Sequence, residues 1–310
     1  MENLTLYAHG KLLLTGEYFV LDGAVSLAIP TRFGQRFSMV PMEQANRYDL
    51  IWAMSNVSAP QETRSYALHA EEWRSPRVSD DPVHTRLLQL FEAAEQLRPG
   101  CTEVLKGKRI DCYLEFDPSW GLGSSSTLIY FLAAIFFLDP YELLDKTFGG
   151  SGYDVLCAAA DGPLLFWRAV DGRLAGQQFS WNPKWLAQTY FVHLNRKQDS
   201  REGIAAYRKA EPDPDTLEAV SQLTFAVADP ALHLRAAAQL LERHETLVAD
   251  AVGLPRIRER FPDFPGTVKS LGAWGGDFIW VLSEEPPDKV RAYFNARGYG
   301  TFIPYHDMAL

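Results

Sequence analysis

The stretch Gly121-Leu122-Gly123-Ser124-Ser125-Ser126 lies between a strand-like run, Ile110–Phe116, and a long apolar segment. Glycines let the backbone approach a ligand closely, and the exposed amides at a helix N-terminus carry about half a positive charge. Serine hydroxyls add hydrogen bonds or a magnesium ligand. The pattern therefore predicts a phosphate-binding loop that opens a buried helix from about Ser125 to Phe137. A tight turn followed by a serine-capped helix explains the same residues, so this stretch alone leaves both interpretations open.

Three further segments carry residues that are typical of a ligand site. In Gly10–Tyr18, Lys11 and Glu17 flank an otherwise apolar strand. Gly149–Asp154 ends on an aspartate that opens a helix, where it serves either as a general base or as a carboxylate that satisfies the helix dipole. Lys269–Asp277 is a second glycine-rich turn, which closes over a ligand or simply joins two elements. Taken singly, each segment has an ordinary structural explanation.

Taken together, the four segments resemble the GHMP kinase superfamily, which includes galactokinase, homoserine kinase, mevalonate kinase and phosphomevalonate kinase. Gly10–Tyr18 looks like the first motif of that superfamily, Gly121–Ser126 like its phosphate loop, and Gly272–Asp277 like its third motif. Ser151-Gly152-Tyr153-Asp154 is similar to the segment that carries the catalytic aspartate in the mevalonate kinase branch. The resemblance extends from residue 10 to residue 277.

Details of the motifs favour one branch and also depart from it. Gly16-Glu17-Tyr18 and Gly275-Gly276-Asp277 resemble the corresponding segments of phosphomevalonate kinases. His9 stands where the family normally has proline, and Trp120 and Trp274 replace small residues inside the second and third motifs. Two tryptophans at these positions would narrow or reshape a substrate pocket.

The resemblance implies an α+β fold of two domains. An N-terminal domain like ribosomal protein S5 domain 2, with the phosphate loop, is expected over residues 1–180, and a ferredoxin-like C-terminal domain over residues 181–310, with ATP in the cleft between them. The element pattern agrees with this division. Glycines such as Gly10 and Gly34 punctuate strand-like runs near the N-terminus, a helix is expected after Asp81-Pro82, and strands alternate with helices towards the C-terminus.

The reaction that the resemblance implies is transfer of the ATP γ-phosphoryl group to phosphomevalonate or mevalonate, in isoprenoid biosynthesis. Asp154 would accept the proton of the substrate, and Lys11 would keep Asp154 ionised, because an opposite charge within ~4–6 Å lowers the pKa of a carboxylate. The resemblance implies substrate contacts at Glu17, Ser151, Gly272, Ala273 and Gly275, with the fixing of Lys11 as the alternative role of Glu17.

ATP and Mg²⁺ are the cofactors that the resemblance implies. The expected ATP ligands are Gly121, Leu122, Gly123, Ser124, Ser125 and Ser126. Mg²⁺ bridges phosphate oxygens and offsets their charge. Its expected protein ligands are Ser125 and a carboxylate, with Glu142 as the first choice and Asp145 as the alternative.

Composition excludes several other classes of function. With 30 Lys and Arg against 39 Asp and Glu, the net charge of −9 lacks the basic field that non-specific nucleic-acid binding requires. The longest apolar run, Leu128–Leu138, has 11 residues, short of the ~20 that span a bilayer. We therefore expect a cytoplasmic protein, a monomer or homodimer, whose partners are ATP and a small-molecule substrate. Two alternatives stay open: a homoserine or sugar kinase of the same superfamily, and a nucleotide-binding regulator without turnover.

Overall fold

The computed structural model describes residues 3–42, 48–74, 79–169, 173–196, 200–210, 212–272, 274 and 276–310. The chain divides into two compact units. Unit 1 comprises residues 1–10, 33–118 and 122–159, and unit 2 comprises residues 11–32, 119–121 and 160–310. These units are defined by compactness, and the division into domains 1–180 and 181–310 stays a prediction.

The described residues form strands and helices in a mixed order. The strands are β1 (Leu4–Thr15), β2 (Ser26–Pro41), β3 (Leu50–Asn56), β4 (Arg64–Leu68), β5 (Lys108–Leu114), β6 (Leu164–Arg168), β7 (Leu174–Gln178), β8 (Thr189–His193), β9 (Thr267–Ser270), β10 (Phe278–Leu282) and β11 (Phe302–Pro304). The helices are α1 (Ala70–Arg74), α2 (Pro82–Leu97), α3 (Ser124–Phe136), α4 (Pro140–Thr147), α5 (Tyr153–Ala159), α6 (Ser200–Ala210), α7 (Pro214–Val227), α8 (Leu234–Val252), α9 (Pro287–Asn295) and α10 (Tyr305–Met308).

Unit 1 contains a sheet with helices packed against it. Its strands are hydrogen-bonded in the order β4-β3-β5-β2, with β3 parallel to β5 and the other pairs antiparallel. Alternate residues of β5 are buried, as a strand with one face on the core requires. Trp52 of β3 packs against Phe91 of α2 and Phe131 of α3, with ring centroids 5.9 and 6.2 Å apart. The predicted helix after Asp81-Pro82 is α2, whose N-cap carboxylate accepts from the amide of Val83 at 2.8 Å.

Strand β2 runs through Gly34, which the sequence pattern treats as a break between two strands. A Cβ at Gly34 would lie 2.7 Å from the ring of Tyr7 and would overlap the carbonyl oxygen of Ala8. Glycine at this position therefore permits a close approach of neighbouring backbone within the sheet. In the same way β1 continues across Gly10 without interruption.

Unit 2 contains a second sheet in the order β11-β8-β10-β9, in which the pairs are antiparallel. Residue Ile279 of β10 is opposite Val192 of β8 and Ser270 of β9, which fixes the register at the start of β10. The first residues of β2, Ser26–Ala28, pair with β6, and β6 pairs with β7. Within the described residues, every helix is too short or too polar to cross a membrane.

Candidate active site

The predicted phosphate loop leads into helix α3 of unit 1. The N-cap is Gly123, with a left-handed backbone (φ 89°), rather than a serine, and no side chain caps this end of the helix. The hydroxyl of Ser126 is buried and donates to the carbonyl of Gly123 at 2.7 Å. Ser124 and Ser125 are exposed. Because the first amides of a helix have no intrahelical partner, this end offers amide donors beside two exposed hydroxyls.

Ser124 and Ser125 line a cleft of about 940 Å³ within unit 1. A cleft of this size suits a small-molecule ligand, for which pockets of roughly 300–1,000 Å³ are usual. The apolar part of the lining includes Met54, Leu87 and Leu128, and the polar part includes Gln35, Asn56 and Arg86. A helix N-terminus that opens on a partly apolar cleft can hold the phosphates of a nucleotide while the base lies against apolar side chains.

The predicted catalytic and metal-binding carboxylates also lie in unit 1. Asp154 is half-buried in the first turn of α5, where Oδ1 accepts from the amide of Val155 at 3.0 Å. Ser151, just before it, is buried. Glu142 and Asp145 are both exposed on α4. Their roles stay predictions.

The residues present are compatible with Mg²⁺ that is held mainly by phosphate and water. The described residues contain no cluster of three or more His, Cys, Asp or Glu side chains that would hold a metal ion. Mg²⁺ does not need such a cage, because it usually keeps several waters and takes one or two carboxylates together with substrate phosphates. The exposed hydroxyl of Ser125 lines the cleft and is a suitable metal ligand, whereas Glu142, exposed on α4, is not among the described residues that line it.

Lys11 lies on β1 in unit 2, half-buried, and its ammonium donates to the carbonyl of Gly121 at 2.9 Å. Gly121 has a left-handed backbone (φ 67°), and a Cβ there would lie 2.6 Å from Cγ of Asp277. The sequence pattern explains Gly121 by the approach of a ligand, whereas the structure shows the carboxylate of Asp277 against it. Asp277 belongs to the third motif, but the sequence pattern assigns it no role.

Glu17 is buried within unit 2 rather than open to solvent. Its side chain is 1 % exposed, it forms an ion pair with Lys269, and one carboxylate oxygen lies 3.6 Å from Nε2 of His244. Burial raises the pKa of Glu17 to about 7, against the opposing effect of Lys269. Nε2 of His244 accepts from the amide of Gly16 at 2.8 Å, which requires the neutral ring. Burial, and then the charge of Lys269, hold the pKa of His244 well below its usual value.

The third motif is described in part. Ala273 and Gly275, two of the predicted substrate contacts, lie outside the described residues. Gly272 has a left-handed backbone (φ 60°), and so does Trp274 (φ 55°). The ring of Trp274 is buried in an apolar cluster. That cluster includes Tyr18, Phe19, Tyr207, Val220, Val248, Ala249 and Val252.

Trp120, the other tryptophan that departs from the family pattern, is half-buried within unit 2. It packs edge-on against Phe278, with ring centroids 5.6 Å apart, and its ring centroid lies 6.4 Å from that of His193. Both tryptophans therefore contribute to packing, and a role in shaping a substrate pocket is not needed to explain their size.

Comparison with solved structures identifies the fold. Mevalonate kinase from Methanococcus jannaschii is 14 % identical to this chain, with a TM-score of 0.68, and the match covers 95 % of each chain. Phosphomevalonate kinase from Streptococcus pneumoniae, solved with phosphomevalonate and AMPPNP, is 15 % identical, with a TM-score of 0.68 over 96 % of this chain and 97 % of that one. The chain has the fold of the GHMP kinases. It is an α+β fold of two domains, as the motifs predict.

Galactokinase from Lactococcus lactis, solved with galactose, shares the GHMP kinase fold as well. It is 13 % identical to this chain, with a TM-score of 0.66, and the match covers 99 % of this chain and 93 % of that one. At these identities the GHMP fold is common to kinases of different substrates, so the fold does not select the phosphoryl acceptor. No protein-family model matches the sequence, and no curated protein matches it.

Proposed function

We propose that this protein is a cytoplasmic, ATP-dependent small-molecule kinase of the GHMP type. The observation that carries the proposal is the N-terminus of α3, where Gly123 rather than a side chain caps the helix and two exposed serines line a cleft of about 940 Å³. An uncapped helix end attracts anions through its amides and its dipole. The GHMP fold supports the same reading, because its solved members named above are kinases of small molecules.

In this proposal the chain contributes mainly positioning and charge. Phosphoryl transfer has a loose transition state, so an enzyme gains most from holding the phosphates and the acceptor in line. Ser124, Ser125 and the first amides of α3 would bind the phosphates, and Ser125 with Glu142 would hold Mg²⁺, which would supply positive charge to the phosphate oxygens. Asp154 accepts the proton of the acceptor hydroxyl.

Two groups of the proposed machinery belong to unit 2. Lys11 supplies positive charge at the start of the phosphate loop, where it donates to Gly121. Glu17, which is buried against Lys269, serves to hold the first motif in place rather than to bind substrate directly.

The acceptor that we propose is phosphomevalonate, with mevalonate as the second choice. The first motif, Gly16-Glu17-Tyr18, and the third-motif ending Gly275-Gly276-Asp277 support the phosphomevalonate branch.

The experiment that tests this function is release of ADP from MgATP with a panel of acceptors. The panel contains phosphomevalonate, mevalonate, homoserine and galactose, and Asp154→Asn is assayed beside the parent. We expect turnover on phosphomevalonate or mevalonate, and a loss of about 10²-fold or more in the variant, because general-base catalysis typically contributes 10²–10⁴-fold. Turnover on homoserine or galactose alone would replace the proposed acceptor.

Two other results would change the proposal. ADP release that survives in Asp154→Asn removes Asp154 from the role of base. Nucleotide binding without turnover on the whole panel favours the alternative of a nucleotide-binding regulator.

A further inference from the structure

Two glycine-rich turns of unit 2 meet at one carboxylate. A Cβ on Gly121 would lie 2.6 Å from Cγ and 3.1 Å from Oδ1 of Asp277, and a Cβ on Gly272 would lie 3.8 Å from its Oδ2. Both glycines have left-handed backbone, with φ values of 67° and 60°. At Gly121 a side chain is therefore excluded twice, by the backbone conformation and by the carboxylate that occupies the space where it would begin.

The same peptide is held on its other side by a cation. The ammonium of Lys11 donates to the carbonyl oxygen of Gly121 at 2.9 Å, and hydrogen bonds from charged donors are stronger than neutral ones. The two residues before Gly121 are also fixed within unit 2. The carbonyl of Ser119 lies 3.3 Å from Nε2 of His193, and Trp120 packs against Phe278.

We propose that Asp277 is a positioning residue for phosphoryl transfer. Its carboxylate holds the Cα of Gly121 while Lys11 holds the carbonyl, and together they set the direction in which the chain enters the phosphate loop. Gly121 is followed directly by Leu122 and Gly123, and α3 begins at Ser124. A displacement of Gly121 therefore moves the first amides of the helix. This inference rests on the proposed function, because the position of the loop matters for turnover only if the loop binds phosphate.

The carboxylate of Asp277 also repels bound phosphates. Repulsion weakens nucleotide binding, whereas positioning of the loop strengthens it. If repulsion were its main contribution, removal of Asp277 would tighten nucleotide binding. If positioning dominates, removal weakens binding and slows turnover, since a displacement of about 1 Å can cost roughly 10²-fold in rate. The direction of the change decides between them.

The first test measures the dissociation constant of a fluorescent ATP analogue, together with kcat and KM for MgATP. For Asp277→Ala we expect a loss of about 10- to 100-fold in kcat/KM, and weaker binding of the analogue. Asp277→Asn keeps the shape of the side chain without its charge and is expected to retain more activity than Asp277→Ala. The matched control is Asp288→Ala, an exposed carboxylate in the first turn of α9. An Asp277→Ala protein that binds the analogue as tightly as the parent, or more tightly, overturns the proposal.

The second test needs no turnover, because it measures the contact itself through unfolding by denaturant. Gly121→Ala is compared with Gly253→Ala, since Gly253 has nearly the same backbone (φ 66°) but open space where the Cβ would lie. We expect Gly121→Ala to lower the unfolding midpoint more than Gly253→Ala in the parent. In the Asp277→Ala background we expect the two shifts to become equal.

The pattern of results separates this inference from the proposed function. Equal shifts for the two glycine variants in the parent would show that the carboxylate does not restrict Gly121, and the proposal fails. A parent that is an active kinase but is indifferent to Asp277→Ala also overturns this inference alone. A parent that binds no nucleotide overturns the proposed function, and the role of Asp277 in turnover falls with it.

Discussion

Glu17 and Lys269 form an ion pair from which solvent is excluded: their side chains are 1 % and 0 % exposed. The pair joins the turn after β1 to strand β9, and His244 lies beside it with Nε2 3.6 Å from the carboxylate. Glu245, also buried, accepts from the amide and the hydroxyl of Ser270, the neighbour of Lys269. Removing two charges from water costs free energy, and their mutual attraction offsets that cost. Loss of either partner therefore leaves an uncompensated buried charge.

At a pH above the pKa of Glu17, we expect Lys269→Met to destabilise the protein by about 3–5 kcal/mol, because it leaves the ionised carboxylate of Glu17 buried without its partner. The double variant Glu17→Gln/Lys269→Met, which removes both charges, is expected to recover much of that loss. The measurement is the free energy of unfolding in denaturant. Lys289→Met is the control, because Lys289 of α9 forms an exposed ion pair with Glu285, which lies just before that helix, and exposed pairs contribute roughly 0.2–1 kcal/mol. Equal effects of Lys269→Met and Lys289→Met would contradict the interpretation.

The buried carboxyl also predicts a dependence of stability on pH. Burial raises the pKa of Glu17 from 4.5 to about 7, so between these values the folded protein retains a proton that the unfolded chain loses. The contribution of Glu17 is therefore full below pH 4.5 and is lost as the pH rises to about 7. His244 acts in the opposite direction. Because its pKa is lowered in the folded protein, the free energy of unfolding rises with pH at pH values below the ordinary pKa of histidine.

The two opposing contributions are separated by comparing the parent with Glu17→Gln. We expect the difference in unfolding free energy between the two proteins to change steadily from pH 4.5 to about 7, the window set by Glu17. Lys269, His244 and Glu245 are the other ionisable groups at this site and are present in both proteins, and burial raises the pKa of Glu245 as well. A difference that is constant over this range would mean that Glu17 does not titrate there.

The three serines of the phosphate loop differ in burial, which predicts different effects of substitution. Ser126→Ala is expected to destabilise the protein by about 1 kcal/mol, because its buried hydroxyl donates to Gly123. Ser124→Ala and Ser125→Ala are expected to leave the unfolding free energy within about 0.5 kcal/mol, because both side chains are exposed. Binding of a fluorescent ATP analogue should show the reverse order, with a greater loss for Ser124→Ala and Ser125→Ala. Equal losses of stability for all three would contradict this assignment.

Local patterns in the sequence predict the fold where the determinants are close in the chain. Helix α3 begins at Ser124, one residue before the predicted start. The prediction is this close because the signal, an apolar run after glycine and serine, is contained in a few neighbouring residues. The strand β7 gives no such signal, since it is short, mostly exposed and without alternation. Strand continuity through Gly34 was also not predictable, because its reason is the neighbouring backbone of Ala8.

The candidate site is likewise predictable only where its determinants are close in the chain. The order of the four motifs identifies their residues, but it does not predict which residues contact one another in the fold. Glu17 is separated from Lys269 by 252 positions, and its place in the sequence, in a family motif, predicts a substrate contact rather than a buried ion pair. Likewise Gly121 is explained by Asp277, which is far along the chain. Pairings of this kind arise from the folded arrangement and leave no local pattern.

The cleft of unit 1 also contains a cation that the motifs do not include. Arg86 of α2 lines the same cleft as Ser124 and Ser125, and its guanidinium carbon lies 4.9 Å from the ring centroid of Phe148. Stacking on an aromatic ring stabilises a guanidinium and holds it in a defined position. We therefore expect Arg86 to add positive charge where a nucleotide would bind.

Replacement of Arg86 by methionine keeps most of the apolar stem and removes the charge. We expect Arg86→Met to weaken binding of an ATP analogue about tenfold, because a hydrogen bond to a charged group contributes roughly 1.5–3 kcal/mol. Arg86→Lys, which keeps the charge without the planar fork, should lose less. The control is Arg291→Met. Arg291 stacks on Phe302 in unit 2, with its guanidinium carbon 4.5 Å from the ring centroid. If Arg86→Met binds the analogue like the parent at both low and high salt, the charge of Arg86 does not act on the nucleotide.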